Sequence, residues 1–242
     1  MRVRLTLAFL MLSATAAFAA DEAVDRINEA KTVFDEIMSS KDKGIPTDLL
    51  DKAHCIVIVP AAKRAGFVVG GQYGKGVATC RKPEGKGWTG PSTVRMEGGS
   101  FGAQIGGGET DIVMMVMNET GANKLMKSEF TLGGEGAVMA GPVGRSATAE
   151  TDAYFRAEIL SYSRSRGLFA GATVKGSTLR SDDKDNKAIY GKAVKHEDIL
   201  RGRVPAPASA ASLLETLTKF SSAEDKPGKD KSEENKPEKS LQ

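Results

Sequence analysis

The sequence predicts an α+β domain: a mainly antiparallel, glycine-rich β-sheet, sandwiched or barrel-like, with helices at its N- and C-terminal ends. Three observations carry this reading. Apolar residues recur at helical spacing near both ends of the chain, the middle consists of short β-branched runs, and 23 of the 27 glycines fall between Gly66 and Gly176. Without a Gly-x-y period, glycines at this density mark tight turns, bulges and close backbone packing. Strands punctuated in this way and flanked by helices build one layered domain.

The first element reads as an export signal. Arg2 and Arg4 precede an apolar run from Leu5 to Leu12, and Ala17-Phe18-Ala19 has the small-x-small spacing of a cleavage site, so cleavage is expected after Ala19. The apolar run is shorter than the roughly 18–20 residues that cross a bilayer as a helix. The expected layout is a signal peptide over 1–19, one domain over 20–220 and a disordered charged tail over 221–242. The expected location is periplasmic or secreted, with peripheral attachment to a membrane as an open alternative.

From Glu22 to Ser39 the residues Ala23, Ile27, Ala30, Val33, Phe34, Ile37 and Met38 repeat at three- and four-residue intervals, which is an amphipathic helix. Its polar face is acidic, and such a face suits packing on the domain better than lying on an anionic membrane. Pro46-Thr47 introduces a short helix over Asp48–Ala53 with Thr47 as its cap. Strands are expected at Cys55–Pro60, Gly66–Cys80, Ser92–Glu97, Phe101–Ile105, Asp111–Asn118, Gly136–Ala140, Leu168–Lys175 and Lys187–Tyr190. Thr120–Lys127 reads as a helix between strands, and Tyr154–Tyr162 fits either state. The cluster Met114 to Met117 reads as core filler. Glu197–Arg201 gives one helical turn and Ser209–Phe220 a final helix. The remainder is lysine, acid, serine and proline with nothing to bury.

Without Arg2 and Arg4 the chain is almost neutral, and no nucleic-acid partner is expected. The distribution is more telling than the sum. Residues 61–95 hold Lys63, Arg64, Lys75, Arg81, Lys82, Lys86 and Arg95 against the single acid Glu84, a local excess suited to anionic headgroups. Cys55 and Cys80 are the only cysteines, and in an oxidising compartment they are expected to pair. A simple hairpin of Cys55–Pro60 with Gly66–Cys80 argues the other way, because it would set Cys55 opposite residue 71 unless the second strand bends.

Several catalytic and ligand motifs come close and fail. Gly98-Gly99-Ser100-Phe101-Gly102 has the letters of a nucleophile elbow, and His196 lies downstream, but an elbow opens a helix and Ala-Gln-Ile-Gly-Gly-Gly does not form one. Gly70 to Gly76 lacks both the leading glycine and the trailing hydroxyl of a phosphate loop. His54, Cys55, Cys80 and His196 are the only nitrogen and sulfur metal ligands, and adjacent strand residues such as His54 and Cys55 face apart. No catalytic residue, metal or cofactor is expected, and the reading is a non-enzyme.

Read together, Cys55-Ile-Val-Ile-Val-Pro60, Lys63-Arg64-Ala65-Gly66-Phe67, Gly70-Gly71-Gln72-Tyr73-Gly74-Lys75-Gly76 and Gly87-Trp88-Thr89-Gly90-Pro91-Ser92 resemble the SYLF domain family. The likeness continues in order through Gly102 to Gly106, Ala140 to Arg145, Tyr162 to Gly171, and the blocks around Asn186, Tyr190 and Asp198, over about residues 25–220. The resemblance implies a lipid-binding module; eukaryotic members are associated with phosphoinositide membranes and, in fungi, with actin regulation. For an exported bacterial member it implies a phospholipid-binding protein of the cell envelope that meets anionic headgroups through the basic segment. The alternative is an envelope interaction protein whose glycine-rich sheet binds another protein.

Overall fold

In the computed structural model, residues 2–39, 44–66, 69–85, 87–101, 106–134, 138–143, 154, 157–165, 168–171 and 174–221 are described. Helix α1 (Arg2–Ser39) and α2 (Thr47–Lys52) precede four long strands: β1 (Cys55–Gly66), β2 (Val69–Cys80), β3 (Ser92–Phe101) and β4 (Gly106–Val116). Then follow α3 (Glu119–Leu125), β5 (Glu129–Thr131), β6 (Val138–Ala140), β7 (Ile159–Ser165), β8 (Leu168–Gly171) and β9 (Ser177–Ser181). Helices α4 (Asp183–Tyr190), α5 (His196–Leu200) and α6 (Ala211–Phe220), the last entered through a 3₁₀ turn at Ala208–Ala210, complete the chain. The strands form one curled sheet in the order β5-β9-β3-β2-β1-β4-β7-β6, with β8 also on β7, and only the β6–β7 pair is parallel.

β1 is central because it is apolar on both faces. Ile56 and Ile58 join α1, α2 and α6 in one core, with Phe34, Val113, Met115, Trp88, Tyr162 and Leu217. Val57 and Val59 join the other, with Met96, Ile112, Met114, Leu125, Phe130 and Leu179. The methionines are core filler as expected, and the acidic N-terminal helix packs its apolar stripe on the sheet, with Ala23, Ile27, Ala30 and Phe34 fully buried.

The strand does not end at Pro60. Its register slips between Ile58 and Lys63 against β2, and between Val59 and Ala62 against β4, which is a bulge. Proline has no N–H to give a ladder and is tolerated at such a point. Ala61 takes a left-handed φ of 43°, and its N–H turns to the Asp111 carboxylate at 2.9 Å. Across the bulge the backbones close up, so that a Cβ at Gly76 would collide with the Ile58 carbonyl. Because β1 continues to Gly66, which pairs with Gly70, Cys55 falls opposite Cys80, not residue 71. The two are bridged, with Cα atoms 3.9 Å apart.

Other expectations shift. Lys187–Tyr190 is not a strand but the end of α4, which Asp182 caps by accepting from the Asp185 N–H and which Gly191 closes at φ 69°. Thr47 is the first residue of α2, and its cap position is Pro46, which makes no side-chain hydrogen bond. Ser177–Ser181 is a strand the periodicity did not give. Ser221 belongs to the fold, since its hydroxyl accepts from the Trp88 indole at 3.1 Å. The expected tail beyond it, Gly102–Ile105 and Lys86 lie outside the described residues.

Candidate functional site

Alternation along β1–β2 fixes where the basic residues point. Lys63, Tyr73, Lys75 and Arg95 share the face on which α1 packs, whereas Arg64 and Gln72 share the face turned away from it. The residues also sit at three levels. Lys63 and Arg64 lie at the glycine-rich end, Lys75 and its cross-strand partner Arg95 in the middle, and Arg81 and Lys82 at the disulfide end. Tyr73 to Arg81 spans eight strand residues, roughly 26 Å at about 3.3 Å each. That is about three Debye lengths at physiological salt. The segment is therefore not one continuous patch.

The middle level is used internally. Lys75 Nζ lies 2.9 Å from Asp185 and 3.1 Å from Asp182, and Arg26 of α1 reaches Asp185 at 2.7 Å, so β2, α4 and α1 are tied through one carboxylate. Burial opposes the Lys75 charge, but its two aspartate partners outweigh burial and raise its pKa. Burial likewise opposes the Asp185 carboxylate, yet the bonds from Lys75 and Arg26 hold its pKa below the ordinary range.

At the disulfide end Arg81 is a helix clamp. Its guanidinium donates to the Leu50, Asp51 and Ala53 carbonyls at the end of α2 and to the Ser221 carbonyl after α6, and lies 4.3 Å above the Trp88 ring. Helix ends carry unpaired carbonyls and partial negative charge, which explains an arginine there. Beside it opens a cavity of about 860 Å³, with Lys52, His54, Lys82, Asn123 and Arg201 among its lining and Cys55–Cys80 in its wall.

The glycine-rich end is the exposed one. The Lys63 side chain is 75% exposed, with Glu109 a loose 3.9 Å away. Tyr73, opposite Lys63, is 46% exposed, whereas the other aromatic side chains among the described residues are buried or partly buried. Sequence reasoning missed Tyr73 and Gln72, although both stand in the Gly70–Gly76 block; the signal was an aromatic and an amide set among glycines that offer no covering side chain.

The serine and histidine of the near-miss motif do not meet. Ser100 lies within β3, opposite Gly70. His196 is 5% exposed and bonds Ser92 instead. Its Nε2–H donates to the Leu125 carbonyl at 2.8 Å, which leaves Nδ1 to accept from the Ser92 hydroxyl at 2.7 Å. Asn186 donates to the same hydroxyl and accepts from Thr93. Fully buried Ser92 and its satisfied partners make a structural network that joins β3 to α4 and α5. Among the described residues, no three metal ligands come together.

Comparison with known proteins places these features in a wider group. Residues 97–220 match the sequence profile of the Ysc84 family, described as Las17-binding protein actin regulator. The rat SH3 domain-containing YSC84-like protein 1 is 35% identical over 190 residues, covering 77% of this chain and 55% of the relative. The yeast Protein YSC84 and LAS seventeen-binding protein 3 (Saccharomyces cerevisiae) are each 38% identical over 181 residues, or 73% of this chain. The chain spans only 38% and 39% of those two relatives.

Proposed function

Because the chain belongs to the Ysc84 family of SYLF domains, we propose that it is a non-catalytic lipid-binding module that engages anionic phospholipid headgroups in the bacterial cell envelope. The observation that carries this reading is the exposed Lys63–Tyr73 pair beside Arg64 at the glycine-rich end. Lysine brings charge to an anionic surface, and tyrosine is the amphipathic ring that settles at a headgroup boundary. Lys75 and Arg81 are engaged inside the fold, so the headgroup contact is assigned to Lys63 and Arg64, with Lys82 a separate charge on the cavity rim.

Each basic residue near an anionic bilayer contributes about 1 kcal/mol, so two or three give weak, salt-sensitive binding. In flotation assays the protein is expected to bind phosphatidylglycerol or cardiolipin vesicles better than phosphatidylcholine, with binding falling as salt rises. Reversal at Lys63 and Arg64 should weaken it more than reversal at Lys229 and Lys231. Equal binding to neutral and anionic vesicles would put the second reading ahead. That reading is an envelope protein partner, and it draws on relatives named for binding another protein.

Export completes the proposal. The paired cysteines support an oxidising compartment. The mass of protein recovered from the periplasm should correspond to a chain beginning at Ala20, and a chain retaining Arg2 and Arg4 would refute it.

A further inference from the structure

Arg64 and Gln72 are cross-strand partners on the face turned away from α1. Gln72 is 7% exposed, and its amide nitrogen has no hydrogen-bond partner among the described residues. The Nε of half-buried Arg64 is also buried and without a partner there. Two adjacent donors left open on one face are unusual, because buried polar groups are nearly always paired.

Their row across the sheet continues through glycine on both sides. Gly108 stands opposite Arg64 and Gly98 opposite Gln72. A Cβ at Gly108 would meet nothing within 4 Å, so the row is uncrowded at the position across from Arg64. Gly98 is filled by Ser177, which closes the other side of the row. The result is a row over a backbone floor in which a cation and an amide N–H stand side by side, both buried and without a partner among the described residues, and no carboxylate is paired with Arg64 there.

We propose that Arg64 and Gln72 form a binding site for one phosphate-type oxyanion, which accepts from the guanidinium and from the amide. Charge-assisted bonds from arginine suit such a group, and the amide adds a donor without adding charge. The inference deepens the headgroup reading and rests on it for the source of the phosphate: a lipid headgroup is one source and free phosphate the other. It differs from the surface attraction of Lys63 in needing a directional donor that is neutral.

The test replaces the amide by a side chain of similar shape, Gln72→Met, with Arg64→Met as a second variant. Thermal unfolding is read with and without inorganic phosphate, and flotation with phosphatidylglycerol and phosphatidylcholine vesicles. Removal of a donor that has no partner should leave the ligand-free melting temperature unchanged or raise it. Losing one hydrogen bond to a charged group should weaken binding about tenfold or more.

If phosphate raises the melting temperature of the parent but not of Gln72→Met, and the variant also loses phosphatidylglycerol binding, the site holds and its source is the lipid. Stabilisation by phosphate that depends on Gln72, without preference for anionic vesicles, supports the site with free phosphate as its ligand and removes the lipid reading. A parent and a variant that bind phosphatidylglycerol vesicles and phosphate alike overturn the site, while the lipid reading survives. A Gln72→Met chain that melts well below the parent without ligand shows a structural amide and also overturns the site.

Discussion

Arg81 shows how the same basic residue type serves different ends along one strand. It satisfies carbonyls from two helices and covers Trp88, so Arg81→Met should cost about 2–3 kcal/mol, given about 1 kcal/mol or more for each bond made by a charged group. Arg81→Lys should recover less than half of that, because a single ammonium cannot reach the carbonyls that a planar fork spans. Urea midpoints of the three proteins check both expectations. His196 gives a pH dependence. Burial, against the smaller pull of its carbonyl partner, lowers its pKa from the ordinary value of 6.5. The unfolded chain therefore binds a proton that the native protein refuses, and stability should fall as pH drops below about 6.5. Asp185 acts in a lower window: its depressed pKa contributes stability above about 4 that is lost as pH falls through the folded value. Midpoints at pH 7.5 and 5.5 should therefore differ, and the difference should shrink in His196→Gln and persist in Asp185→Asn.

At the scale of the element, the β1–β2 hairpin joins a bridged end to an open one. The disulfide closes 25 residues of sequence separation, for which chain entropy gives about 3–4 kcal/mol. The double variant Cys55→Ala, Cys80→Ala should lose stability of that order, and reduction of the parent should match it by urea titration. Much of this element was legible in the sequence. The β-branched run announced a strand, the glycines announced its partner, and the two cysteines pointed to a bridge, although a simple hairpin set Cys55 opposite residue 71. What could not be read was the bulge, because Pro60 is the ordinary sign of a strand ending and only the Asp111 carboxylate, fifty residues on, gives the Ala61 N–H a partner that lets the strand resume. The helix α4 was misread over Lys187–Tyr190 for a different reason. Four residues hold too little periodicity to separate helix from strand, although Asp182 and Gly191, its cap residues, were in plain sight.

Across the whole molecule, the net charge of the basic segment survived only as a count. Its members were legible, but their separation into three levels followed from strand length and from the Asp182 and Asp185 carboxylates on α4, which no local pattern connects with Lys75. The exposed end was legible as composition, since glycines leave strands uncovered, yet the side chain standing in that clearing, Tyr73, and the buried Gln72 beside it emerge only once the register is known. Stability and recognition are thus expected to separate. Lys63→Glu should leave the urea midpoint within about 0.5 kcal/mol of the parent, as surface changes do, while flotation with phosphatidylglycerol falls. A midpoint shift as large as that of Arg81→Met would sink this separation. In mechanical terms the hairpin is a plank clamped along both edges. Its root is bolted by Cys55–Cys80 and braced by Arg81 against two helices, and β3 and β4 grip its sides out to Val69 and Gly66, so a load at the glycine-rich end is shared across the sheet before it reaches the root.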